Sequence, residues 1–234
     1  MQRTLKLSDR LMAVARFIEN GALVADIGTD HGYLPVYLAQ NGLARSIIAS
    51  DISEGSLRSA RQSAARHGVS EKIAFVAAPG LDGIGETETD TVVIAGLGGE
   101  TIAGILDGAP WTKRGGVRLI LQPQTKTSGL CSYLRENGYR VRDAELAREN
   151  DRFYVVLLVK GGASDSALEP EVELLARLMF KRDPLIRGYL DSLIERTSRA
   201  LEGMNKSSAP DVLNMALKQA VYIGLKEEYE KCLL

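Results

Sequence analysis

The chain has 234 residues, 45% hydrophobic and 25% charged, with a formal net charge of −1, which is enough for one sheet-based domain and a smaller appendage. Near-neutral charge excludes binding to a polyanion through a global positive field, so any nucleic-acid surface has to be local. There is no apolar run of membrane-spanning length and no leader-like stretch in the first ten residues, and Cys131 and Cys232 lack metal or redox spacing, so a cytoplasmic protein with neither membrane nor metal partner is expected.

Ser8 reads as an N-cap for a helix that runs to Gly21, with Leu11, Val14, Ala15 and Ile18 on one face. Strands and helices then alternate. Strands are expected over 23–27, 46–50, 73–77, 91–95 and 117–121, and helices over 33–40, 56–67, 101–106 and 128–137. His67, followed by Gly68, reads as the closing residue of its helix. Near-continuous apolar strands between amphipathic helices predict a largely parallel sheet covered on both faces. The segments 140–146 and 153–159 are joined by a short polar stretch and should close the sheet as an antiparallel hairpin. The result is a Rossmann-type α/β sheet of six parallel strands and one antiparallel strand.

Gly161, Gly162 and the small polar residues after them mark a composition break, which sets domain limits of 1–162 and 163–234. Beyond it only helical periodicity appears. Ile186, Leu190, Leu193, Thr197 and Leu201 form one seam, and Met215, Tyr222, Leu225, Tyr229 and Cys232 form another after a break at 203–210. Two such helices fold back as an antiparallel coiled-coil pair. Residues 165–234 hold ten Lys or Arg against twelve Asp or Glu, so the appendage is not a basic clamp.

The most informative stretch follows the first strand: Asp26-Ile27-Gly28-Thr29-Asp30-His31-Gly32-Tyr33-Leu34-Pro35. A strand, a glycine turn and a helix make a nucleotide-like grip in an open α/β sheet, because glycine admits a close ligand and the helix offers unpaired N–H groups. A dinucleotide site needs G-x-G-x-x-G so that a pyrophosphate can reach the helix N-terminus. Here Asp30 stands two residues after Gly28, where its carboxylate would repel a diphosphate. It suits a ligand with a sulfonium and an ammonium, which points to S-adenosylmethionine; a turn that holds no ligand stays open as the plainer reading.

Asp51, at the end of the second strand, is placed to accept the ribose hydroxyls of an adenosine, with Ile52 beside it. Gly80 follows the third strand, where Pro79 lacks a backbone donor and leaves adenine recognition to neighbouring main chain. Ala95 and Gly96 end the fourth strand next to the expected methyl position. Gly98 and Gly99 allow a flat base near bare backbone, although a plain tight turn explains them equally well. Gln122 and Gln124 carry amides able to read a base edge, Pro123 lies between them, and Tyr154 offers aromatic surface at the same edge or simple packing.

Together the Asp26–Pro35 motif, Ile94-Ala95-Gly96-Leu97-Gly98-Gly99 and Leu119-Ile120-Leu121-Gln122-Pro123 resemble the bacterial tRNA (adenine-22-N1)-methyltransferase family over nearly the whole chain. The resemblance implies a class I methyltransferase sheet with a C-terminal coiled coil, and methyl transfer from S-adenosylmethionine to N1 of an adenine in the D-arm region of tRNA. Asp26, Gly28, Asp51, Ile52, Gly80, Ala95 and Gly96 are then the cofactor-binding candidates. Gly98, Gly99, Gln122, Pro123 and Tyr154 are the substrate-binding candidates. Asp30, His31 and Tyr33 are the catalytic ones, with Asp30 placed to stabilise positive charge on the methylated base. The chain differs from the family pattern at Pro79, Gln124 and Val155.

Two other functions fit the same residues. One is a methyltransferase for a small molecule or a protein, with the helices used for association. The other is a non-catalytic binder. The expected assembly is a monomer or a weak dimer.

Overall fold

Strands β1 (Ala22–Ile27), β2 (Ala44–Asp51), β3 (Ala74–Ala77), β4 (Thr91–Gly98), β5 (Arg118–Thr125), β6 (Tyr139–Glu149) and β7 (Arg152–Gly161) form one sheet in the order β3-β2-β1-β4-β5-β7-β6. This is a computed structural model, which describes residues 4–163, 166–204 and 209–233. The pairs among β1 to β5 are parallel, and β7 runs antiparallel to both β5 and β6. Six strands therefore share one direction and the seventh opposes them, as the alternation of the sequence predicts. The central strands are covered on both faces, and Val92, Val93, Ile94, Leu119, Ile120 and Leu121 are fully buried.

The hairpin between β6 and β7 turns on Asn150 and Asp151, whose φ angles of +46° and +63° make a two-residue type I′ turn. This turn matches the right-handed strand twist, and Asn and Asp tolerate the left-handed conformation better than most residues.

Helices α1 (Asp9–Arg16), α2 (Tyr33–Asn41), α3 (Glu54–Arg66), α4 (Gly99–Asp107) and α5 (Thr127–Glu136) accompany the sheet. Ser8 caps α1 as expected, its hydroxyl accepting the Leu11 N–H at 3.4 Å. The helix stops at Arg16 rather than near Gly21, because the Gly21 N–H is taken by the Leu43 carbonyl at 2.9 Å as the chain enters β1. His67 closes α3, and its Nδ1 lies 2.9 Å from the Ser63 carbonyl.

Strands β4 and β5 run further than expected. Both continue at the carboxyl edge of the sheet through paired irregularities: Ala95 faces Gln122, Leu97 faces Pro123 and Gly98 faces Thr125. Gly96 is thus an extra residue in β4 and Gln124 an extra residue in β5. Such bulges re-aim the residues they contain and commonly occur beside active sites.

The chain forms two compact units, Met1–Leu174 and Leu175–Leu234. A helix not separately resolved by the sequence, α6 (Pro170–Phe180), spans the division. In the second unit, α7 (Ile186–Gly203) and α8 (Ala209–Lys231) pack antiparallel. Arg187 Nε donates to Glu230 at 3.1 Å, Lys226 Nζ to Asp191 at 2.5 Å, and Gln219 Nε2 to Ser198 Oγ at 2.5 Å, so contacts descend α8 as they climb α7. Ile186, Leu190, Leu193, Thr197, Tyr222 and Tyr229 are buried as the two seams require, whereas Cys232 is exposed. Among the described residues no helix is long and apolar enough to cross a membrane.

Candidate active site

Strand order reverses between β1 and β4, and the carboxyl ends of those strands open a crevice where α/β sheets bind ligands. A cleft of about 710 Å³ sits there. All three residues expected to be catalytic and all seven expected to hold the cofactor line it.

The turn after β1 is built on left-handed residues. Gly28 (φ +72°), Asp30 (φ +50°) and Gly32 (φ +68°) alternate with ordinary ones, which winds the backbone tightly round the cleft floor. The Gly28 and Thr29 N–H groups both donate to the Ser50 carbonyl of β2, at 2.8 and 3.0 Å. Gly32 serves packing: a Cβ there would lie 2.8 Å from Ala60 Cβ on α3. Asp30 adopts its left-handed φ without being glycine, a conformation that Asp and Asn accept most readily among side-chain-bearing residues.

Three carboxylates face this region in different states. Asp26, 5% exposed, accepts a hydrogen bond from Thr29 Oγ1 at 2.7 Å. Burial pushes its carboxyl up from 3.8 to about 6; the Thr29 hydrogen bond opposes this and the nearby Asp51 charge adds to it. Asp51 is half-buried, and its two oxygens accept the Asp30 N–H at 3.1 Å and the Ser53 N–H at 2.9 Å. Each oxygen retains acceptor capacity for a hydroxyl. Asp30 itself is open to solvent, with His31 Nε2 at 3.7 Å from its Oδ2. The His31 and Tyr33 rings stack obliquely, 5.4 Å apart, and Tyr33 is 43% exposed. Ile52, 77% exposed, also lines the cleft. Pro79 and Gly80 form another part of its wall, where Gly80 has φ +58° and approaches Ile105.

The expected substrate residues behave differently. Gly98, Gly99, Gln122, Pro123 and Tyr154 do not line the cleft. Gly99 is buried, and a Cβ there would stand 2.7 Å from the Lys126 carbonyl, so its role is close backbone packing. Pro123 is buried inside β5. Gln122 is fully buried, and its Oε1 accepts from Arg10 Nη1 at 2.8 Å. Tyr154 is half-buried beneath the same guanidinium, 5.6 Å from its ring centre. It is Gln124, singled out for its amide, that reaches the cleft, through its bulge.

Sequence reasoning missed Arg10. It lies near the start of α1 and lines the cleft from across the sheet. Its side chain approaches Gly96, where a Cβ would be 3.5 Å from Nη1 and 3.7 Å from Gln124 Nε2. Nothing in the local spacing marks it, since its partners stand 112 and 139 residues away. Among the described residues no group of three His, Cys, Asp or Glu side chains is placed to hold a metal ion.

The arrangement suits a ligand that carries positive charge and vicinal hydroxyls. Comparison with known proteins agrees with that chemistry. Residues 7–157 match the family model described as a methyltransferase domain. The chain is 38% identical over 165 residues, 70% of its length and 69% of the relative's, to the Bacillus subtilis tRNA (adenine(22)-N(1))-methyltransferase. Among solved structures, it is similar to a Streptococcus pneumoniae protein in complex with S-adenosyl-L-methionine, with TM-score 0.82, 31% identity, and coverage of 94% of this chain and 100% of that one. The Bacillus subtilis tRNA methyltransferase TrmK gives TM-score 0.82 at 29% identity, covering 95% of this chain and 99% of that one. On these matches of sequence and of fold, the chain belongs to the tRNA (adenine(22)-N(1))-methyltransferase family.

Proposed function

We propose that this protein transfers a methyl group from S-adenosylmethionine to N1 of adenine 22 in tRNA, the reaction named for its Bacillus subtilis relative. The observation that carries the reading is one cleft at the β1/β4 switch point holding Asp26, Asp30 and Asp51 together. Three carboxylates would repel a dinucleotide's pyrophosphate and attract a sulfonium and an ammonium.

The residues present fit S-adenosylmethionine. Asp51, fixed by two backbone N–H groups, offers acceptors to the ribose hydroxyls. Asp26 lies buried behind the Gly28 turn and supplies negative charge to the cationic end. Gly80 and Pro79 give the adenine a flat apolar wall. When bound, the cofactor supplies an electrophilic methyl carbon on sulfur. Neutral adenine already carries a lone pair at N1, so no general base is required, and the chain's task is alignment and exclusion of water. As methyl leaves sulfur, positive charge appears on the base, and Asp30 at the open side of the cleft stabilises it. His31 and Tyr33 form an aromatic wall for the base beside it. Because N1 takes part in Watson–Crick pairing, the target adenine has to be unpaired or turned out.

Methyl transfer belongs to residues 1–162, which supply every side chain that lines the cleft. Lys126 at the end of β5 and Arg148 and Arg152 at the β6–β7 hairpin stand at the same sheet edge as the cleft, where they can meet phosphates. A cytoplasmic setting follows from the substrate. The test is incorporation of tritiated methyl from S-adenosylmethionine into unmodified tRNA, with 1-methyladenosine as the labelled nucleoside. Label in protein or small molecules alone would favour a different acceptor.

A further inference from the structure

The outer side of α8 is apolar where a solvated helix would be polar. At 3.6 residues per turn, Leu213, Ala216, Leu217, Ala220, Val221 and Gly224 share that side. The opposite side meets α7, through the buried Tyr222 and Tyr229 and through Gln219 and Lys226. All six outer residues are exposed, Leu213 by 60%, Leu217 by 57% and Val221 by 43%. No charged residue interrupts this side for about 17 Å of helix. We propose that it is a self-association surface, on which α8 of a second copy of this chain packs antiparallel about a twofold axis between Leu217 and Ala220.

The face is self-complementary in that direction. In the antiparallel pairing Leu213 lies over Gly224 of the other copy and Leu217 over Ala220, so each large side chain meets a small one. Parallel pairing would set Leu213 on Leu213 and leave a gap between the two Gly224 positions. Charge agrees with shape. Glu227 and Glu228, both exposed, follow the apolar residues on the same side, and Glu228 accepts from Lys231 Nζ at 2.6 Å. Antiparallel packing brings these carboxylates beside the first turn of the other α8, which begins at Ala209 and whose unpaired N–H groups favour negative charge. Parallel packing would set carboxylate against carboxylate.

The size of the face fits a reversible pair. With the exposed Ile223 at its margin it offers roughly 500 Å² of apolar surface per copy, and covering both copies removes about 1,000 Å² from water, the lower bound for a specific interface. RNA is a poorer occupant, because a phosphate backbone needs cations that this side of α8 lacks, and the acidic end repels it.

The test is the oligomeric state of the full chain. Sedimentation velocity at about 100 μM, a concentration suited to an interface of this size, should show a species of twice the 25.4 kDa chain mass. Leu217→Glu should raise the dissociation constant at least about 30-fold, since each copy then buries a carboxylate at the axis. Its circular dichroism should be unchanged, because residue 217 points away from α7. Direction is read by oxidative crosslinking in a Cys232→Ser background. Leu213→Cys mixed with Gly224→Cys should give far more crosslinked pairs than either variant alone; if Leu217→Glu loses helix, these crosslinks decide. A single-chain mass at that concentration, an unaffected dimer in Leu217→Glu, or crosslinks mainly between identical positions overturns the proposal. So does a Leu217→Glu variant that keeps the wild-type mass and raises only the KM for tRNA, which would give the face to RNA.

Discussion

The backbone N–H of Asp30 donates to Asp51 Oδ2 at 3.1 Å, tying the turn after β1 to the end of β2. One carboxylate thus sets the conformation of the loop that carries another. Removing Asp51 would harm ligand binding twice, through lost ribose acceptors and through a loosened Asp30 turn. Asp51→Ala is therefore expected to lower donor affinity about 100-fold or more, on the scale of two hydrogen bonds to a charged group. Calorimetry checks this, and a loss below about threefold would remove Asp51 from the site.

Asp30→Asn separates charge from shape, because Asn accepts the same left-handed φ of +50°. Turnover should fall about 100-fold, in the range typical for loss of one transition-state stabiliser, while donor affinity changes less than about threefold. Single-turnover kinetics with saturating donor provides the measurement. Equal turnover would dismiss the assigned role.

Asp26 gives a pH signature. Its carboxyl titrates near 6 in the fold against 3.8 unfolded, because it is buried. The folded state therefore holds this proton more tightly, and its stabilising effect is complete below pH 3.8 and lost as pH rises through about 6. The ionised form costs the unliganded fold about 3 kcal/mol relative to the neutral one. A cationic ligand favours the ionised form, so donor affinity should rise between about pH 5 and 7 and level off above. In Asp26→Asn the rise should vanish and the unliganded protein should gain stability above pH 7. Calorimetry and thermal melts across that range test both parts.

Gly98 and Gly99 divide what the sequence treats as one motif. A Cβ on Gly99 would stand 2.7 Å from the Lys126 carbonyl and 3.0 Å from that of Thr125, both backbone atoms. Gly99→Ala should cost roughly 2–3 kcal/mol of stability. At Gly98 the nearest atom is a Thr125 hydroxyl at 3.4 Å, so Gly98→Ala should cost under about 1 kcal/mol. Chemical denaturation compares them directly.

Gln124 is the amide the cleft presents, and its bidentate pairing with adenine would use N6 and N7, leaving N1 free for the methyl. Gln124→Ala should raise tRNA KM about tenfold with donor binding unchanged. A shift in donor affinity instead would place Gln124 on the cofactor side.

The proposed cofactor side of this site is legible because it is written locally. Asp26, Gly28 and Asp30 sit in one strand–turn–helix unit, and Asp51 ends the next strand, so chain order alone brings them together. The proposed substrate side depends on irregularities that chain order hides. The β4 and β5 bulges bring the Gln124 amide near Gly96, and α1 covers Gln122 with Arg10. A strand reading that ends at Leu121 cannot separate the buried amide from the exposed one. The end of α1 is hidden for a similar reason: its apolar periodicity continues past Arg16, but the Gly21–Leu43 hydrogen bond pulls the chain into the sheet.

The proposed reaction is decided by where a methyl group goes. Unmodified tRNA incubated with the protein and S-adenosylmethionine, then digested and mapped by mass spectrometry, should gain one methyl, on N1 of adenine 22. A methyl on any other nucleotide, or tRNA of unchanged mass beside a protein that binds the donor, would contradict it.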